Sequence, residues 1–139
     1  MTDLLETIRS EALNGYTEYS GIELTEVREG YAAGRIVIKP HHCNPSGAVH
    51  GGIIFCLGDV IGGIACRMTD SLPVTVSSTI SYMKPMLGDR VIYAEAKVLK
   101  SGKTTMFAEI SILNEKTEEA AKLQAVYYNM KSRGKHESV

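Results

Sequence analysis

The chain has 139 residues, a hydrophobic fraction of 44%, a charged fraction of 22% and a formal net charge of -1. Its length suits one domain that buries roughly two thirds of its unfolded surface and needs no disulfide or metal staple. The balanced charge excludes the clustered basic face of a nucleic-acid binder, and no charge-free apolar run approaches the roughly 20 residues of a membrane span.

Leu4, Leu5, Ile8 and Ala12 recur at helical spacing ahead of Gly15, which predicts a surface helix over 2–14. This N-terminus carries acids and lacks the basic start and apolar core of a secretory leader, so a cytoplasmic protein is expected. Cys43, Cys56 and Cys66 are odd in number and fit reduced thiols rather than a disulfide framework. GIELTEV (21–27) and YAAGRIVIKP (31–40) read as two strands joined at Glu29-Gly30, and HHCNPSGAV (41–49) reads as a loop. The segment from Gly51 to Met68 has helical length, no proline and apolar residues on every side, the pattern of a buried helix. Gly58 and Gly62, one turn apart, allow another backbone close to it.

Four further strands follow in VTVSSTISYMKP, DRVIYAEAKVLK, TTMFAEISIL and AAKLQAVYYNM. The breaks LGD, KSGK and NEKTEE are short enough for an antiparallel meander. The polar tail from Ser132 is expected to fray. The expected fold is α+β: a long central helix wrapped by an antiparallel sheet of about six strands, in a single domain spanning 1–139. One helix cannot cover both faces of such a sheet, so self-association is expected.

The buried helix carries one carboxylate, Asp59. Stripping a carboxylate of water costs several kcal/mol. Asp59 therefore faces water, is paired for structure, or sits in a cleft and reacts. The residues upstream bear on that choice. If the helix starts near Gly51, then His50, Gly51 and Gly52 form its N-terminus, where free N–H groups favour an anion or a developing oxyanion. Asp59 lies eight residues on, about 12 Å along the axis. One chain then does not bring both groups to one point, whereas two chains side by side do.

The pattern NxxGxxHGGxxxxLxD, here Asn44, Gly47, His50, Gly51, Gly52, Leu57 and Asp59, resembles the signature of hotdog-fold thioesterases, closest to their phenylacetate-degradation (PaaI-type) branch. The later VTVSSTISYMKP with its GD fits the same pattern, and the resemblance runs from about Gly21 to Met130. It implies hydrolysis of an acyl-CoA, aryl-acetyl or medium-chain, to a free acid and CoA. It implies that Asp59 attacks the thioester or activates water, and that the Gly51 N–H polarises the carbonyl. His50 and Asn44 would orient that region, and Thr75 would position the water or the carboxylate. Ser77 is the alternative to Thr75 if the strand shifts by two. The resemblance further implies sites at the interface of a homodimer, and a homotetramer of two dimers.

No metal or organic cofactor is expected, since CoA is part of the substrate. Its phosphates need cations, for which Lys84, Arg90, Lys100 and Lys103 are candidates, with Gly52 and Tyr82 also at the substrate. Leu57, Ile61, Tyr82 and Met83 are candidates for the acyl pocket. His41, His42, Cys43 and His50 do not form a convincing zinc set, because adjacent residues on an extended chain point opposite ways. Ser101-Gly102-Lys103-Thr104 lacks the earlier glycine of a phosphate loop, since position 97 is Lys97. Competing functions are a hotdog dehydratase or hydratase, a non-catalytic acyl-CoA-binding protein, and a structural homo-oligomer.

Overall fold

The first helix, α1, spans Thr2–Ala12 and lays Ile8 onto the core. The computed structural model describes residues 2–131, so the tail expected to fray lies outside the described residues. A second helix, α2 (Tyr16–Tyr19), is a single turn that the sequence reading did not anticipate; it follows Gly15, whose φ of 59° reverses the chain. Strands β1 (Ile22–Arg28) and β2 (Tyr31–Val37) form the expected hairpin. β2 ends three residues before the predicted limit, because Pro40 opens a 3-10 turn over Pro40–His42.

Helix α3 (Gly51–Arg67) follows, then β3 (Pro73–Tyr82), β4 (Val91–Ser101), β5 (Thr105–Leu113) and β6 (Glu119–Asn129). The six strands make one antiparallel sheet in the order β1-β2-β4-β5-β6-β3. The meander holds for β4, β5 and β6 and fails for β3. β3 pairs with β6 on the far edge, while β4 continues from β2. The link around LGD is therefore a crossing segment. Its partners show why: Val49 N–H donates to the Met86 carbonyl, Ile38 N–H to the Arg90 carbonyl, and Ala48 bridges Leu87.

α3 lies against one face of the sheet. Leu57, Ile61, Ala65 and Cys66 are buried there against Ile36, Ile92, Ile110 and Leu123. A methyl group on Gly62 would sit 2.5 Å from the Tyr127 hydroxyl and 2.8 Å from Ile110 Cδ1. The helix approaches the sheet at this distance only because that side chain is absent. Burial pushes the Cys66 thiol pKa up to about 12, so this cysteine serves as a small apolar residue. Among the described residues no helix is long and apolar enough to cross a membrane.

Candidate active site

α3 begins on a histidine. His50 is its N-cap, in extended backbone, and its Nδ1 accepts the Gly52 N–H at 2.8 Å. The His50 N–H donates to the His42 carbonyl at 2.8 Å, and the Ile53 N–H donates to the His50 carbonyl at 3.1 Å. Among the described residues, the one donor of this first turn without an acceptor is the Gly51 N–H. The cap thus selects a single N–H at the positive end of a 17-residue helix.

Two rings flank that N–H. The Tyr82 hydroxyl donates to the Gly51 carbonyl at 2.8 Å, and a methyl group on Gly51 would meet the same hydroxyl at 3.2 Å. A methyl group on Gly52 would lie 3.0 Å from His50 Nδ1. The two glycines let both side chains seat against the helix start. Asn44 closes the preceding loop, its Oδ1 accepting from Ser46 N–H at 2.9 Å and from Ala48 N–H at 3.1 Å.

Asp59 stands two turns further along α3, about 12 Å from Gly51 by helix rise. The Thr75 hydroxyl donates to its Oδ1 at 2.8 Å, and the Tyr127 hydroxyl donates to its backbone carbonyl at 2.9 Å. No cation bridges it among the described residues. Burial raises the carboxyl pKa above the ordinary value, and the Thr75 and Tyr127 hydroxyls hold it down in part. Held by hydroxyls and lacking a cation, Asp59 is not half of a structural ion pair, and it lies outside the two clefts at the start of α3.

The alternative residue, Ser77, lies elsewhere. The β3–β6 register shifts between Thr75 and Ser77, so Val76 is an extra residue. Thr75 pairs with Tyr127 and Ser78 with Ala125, both on the helix side, whereas Ser77 pairs with Val126 on the other face. Simple alternation puts Thr75 and Ser77 on one face; the bulge separates them.

A cleft of about 490 Å³ is lined by Asn44, Gly51, Gly52, Tyr82, Met83 and Lys84, with Met86 at its floor. The fold therefore gathers six of the expected residues: Asn44, Gly51, Gly52, Tyr82, Met83 and Lys84, the last at 3.5 Å from Glu118. It leaves Asp59 with Thr75 as a separate pair. Lys103 lies in the β4–β5 turn, near the Pro73 end of β3 and away from Tyr82: its carbonyl accepts from Asn129, which pairs with Pro73. Arg90 is held by Glu115, through its backbone N–H at 2.6 Å and its Nη2 at 3.0 Å, which differs from a free cation awaiting phosphate. Lys100 lies on β4, opposite Phe107 of β5. Leu57 and Ile61 are fully buried core rather than pocket lining. Sequence reasoning missed the capping role of His50 and the anchoring role of Tyr127. A histidine just before a helical glycine pair was the available signal for the first, and nothing local signalled the second.

Residues 46–121 match the family model described as the thioesterase superfamily. A curated Archaeoglobus fulgidus protein is 35% identical over 82 residues, which cover 59% of this chain and 53% of that one, so the match spans about half of the relative's length. Acyl-coenzyme A thioesterase PaaI of Escherichia coli is 28% identical over 101 residues, covering 73% of this chain and 72% of that one. A solved Streptococcus mutans structure, described as bound to acetyl CoA, superimposes with a TM-score of 0.73 at 27% identity, over 78% of this chain and 87% of that one.

Proposed function

Because the chain belongs to the thioesterase superfamily, we propose that it hydrolyses acyl-CoA thioesters to a free acid and CoA, in sites shared between two copies of the chain. The observation that carries this reading is the unclaimed Gly51 N–H, a single donor at a helix N-terminus with Tyr82 and His50 on either side. A thioester carbonyl set on it gains stabilisation as its oxygen becomes negative, an effect worth roughly 2.7–4 kcal/mol per donor.

The second group is Asp59, oriented through Oδ1 by Thr75. In one route its carboxylate takes a proton from water as the water oxygen bonds to the carbonyl carbon. The oxyanion then collapses, the C–S bond breaks, and the proton passes to the leaving thiolate. In the other route the carboxylate itself attacks, CoA leaves, and water hydrolyses the resulting anhydride. A raised carboxyl pKa suits either base or nucleophile near neutral pH. Neither route calls for a metal or organic cofactor, because the thioester is already activated.

The sheet supports a shared site. Among the described residues β3 is an edge strand, paired with β6 alone. Antiparallel pairing of two β3 edges would bring the Thr75 end of one copy beside the Tyr82 end of the other, carrying Asp59 toward the second copy's Gly51. Lys103 would approach from the same end, and Lys84 already stands at the cleft; these are the cations we assign to CoA. The sheet face away from α3 exposes Val37 and Phe107, which supports a homotetramer of two such dimers. A cytoplasmic location belongs to the same proposal and suits three free thiols.

The test is complementation. Asp59→Asn removes the carboxylate. Gly51→Pro removes the N–H at the first helical position, which accepts proline, after His50, whose ψ of 134° suits a residue before proline. Each variant alone should lose about 10²–10³ in kcat. Mixed and reassorted, they should recover about a quarter of the wild-type rate, since half of the dimers carry one intact site of two. Failure to recover, with both variants still exchanging subunits, would show that the site does not span two copies.

A further inference from the structure

The one-turn helix α2 contains no buried residue, so core packing does not explain its place. Its Tyr16 and Tyr19 are 70% and 80% exposed. With His41, His42, His50 and Gly52 they line a second cleft of about 410 Å³, within the usual size of small-molecule sites. Gly52 also lines the cleft that holds Tyr82 and Lys84. The two clefts thus share the start of α3, one residue from the free Gly51 N–H.

Their chemistry differs. Lys84 stands at the first, whereas no Lys, Arg, Asp or Glu lines the second. His42 forms a fixed floor. Its Nδ1 accepts the Lys39 N–H at 2.9 Å, so its Nε2 carries the proton and donates to the Ser20 carbonyl at 2.8 Å. Its ring lies 4.3 Å from that of His41, tilted by 48°. His50 has its Nδ1 occupied by Gly52, which leaves Nε2–H as a donor. Exposed phenol rings beside the held His42 imidazole suit an uncharged planar ring, and the His50 Nε2–H adds a donor where that ring bears an acceptor. With no Lys or Arg in its lining, the cleft lacks the ammonium or guanidinium that typical phosphate sites use.

We propose that this second cleft is a subsite for an aromatic ring of the thioester substrate, held by stacking on Tyr16 and Tyr19. The inference rests on the acyl-CoA reading above. A thioester carbonyl at Gly51 has two arms, and each carries a candidate ring: the aryl end of an acyl group, or the adenine of CoA.

The experiment compares wild type, Tyr16→Ala, Tyr19→Ala and Tyr19→Phe on four substrates, the phenylacetyl and octanoyl thioesters of CoA and of N-acetylcysteamine. Truncation at exposed tyrosines should lower one kcat/KM ratio by about three- to tenfold, and Tyr19→Phe should keep it. A fall in the phenylacetyl-to-octanoyl ratio with both carriers assigns the cleft to the acyl arm. A fall in the CoA-to-N-acetylcysteamine ratio with both acyl groups assigns it to adenine. If neither ratio moves in either alanine variant, the subsite is overturned. If wild type hydrolyses none of the four, the hydrolase reading fails by itself, and the same ratios are read from Kd by calorimetry, with the same outcomes deciding the subsite.

Discussion

The two edges of the sheet are treated differently. On β1, seven residues long, Arg9 of α1 donates to the Leu24 carbonyl through Nε at 3.3 Å and Nη2 at 2.9 Å, and the ladder shifts register between Leu24 and Glu26. A groove of about 530 Å³ between α1 and this edge holds two arginines, each engaged by a glutamate, and none of the residues expected at the site. Both edge strands carry a bulge, so it is the helix and the guanidinium that close the β1 edge to further pairing. On β3, ten residues long, no side chain bonds the backbone among the described residues, and Val74 and Val76 are 49% and 62% exposed. Both residues that tie α3 to an edge, Thr75 and Tyr82, belong to this open strand. On the proposed function, this open edge is where a second copy would complete the site.

The strongest way to break this contrast is Val76→Lys. A charge at the centre of the open edge should give a monomer by sedimentation, with hydrolysis down about a thousandfold, although Asp59 and Gly51 are untouched. A fully active monomer would mean that the open edge is not the seam.

Thr75→Ala sharpens the contrast from inside the strand. Losing a hydrogen bond to a charged group should cost about tenfold in kcat while the dimer persists. Activity should rise with pH as Asp59 ionises, with its acid limb above the ordinary carboxylate range because burial raises the pKa. Since the Thr75 hydroxyl lowers that pKa, its removal should move the limb to higher pH in a kcat profile. Stability runs the opposite way with pH. A carboxyl raised by folding binds its proton more tightly in the folded state. Its contribution is therefore greatest at low pH and is lost as pH rises through the folded pKa. An unmoved limb would detach Thr75 from Asp59.

The smallest effect is expected on the closed edge. Arg9→Ala strips the Leu24 carbonyl of its donors and should lower stability by about 1 kcal/mol in denaturant titration, with association and kcat unchanged. A change in oligomeric state would show that β1 also takes part in assembly.

Much of this was legible in the residues. The apolar run from Gly51 announced a core helix, though only the face against the sheet is buried and Ile53, Phe55 and Val60 stay half-exposed. The glycine pair after His50 marked the helix start, and the distance from Gly51 to Asp59 follows from helix rise alone. These are local properties, set by side-chain pattern and backbone geometry within a few turns.

What the tertiary structure decided is non-local. The place of β3 on the far edge depends on which strand the chain meets after α3, which no short link encodes. The bulge at Val76 exists only in register with β6, and it chooses Thr75 over Ser77. The Gly51 N–H is free because His50 and its neighbours satisfy the other donors, and Arg90 is bound because Glu115 is brought beside it. Pairing partners far apart in the chain are selected by the packing of the whole sheet around α3, so the choice of edge, face and free donor appears only once the sheet is assembled.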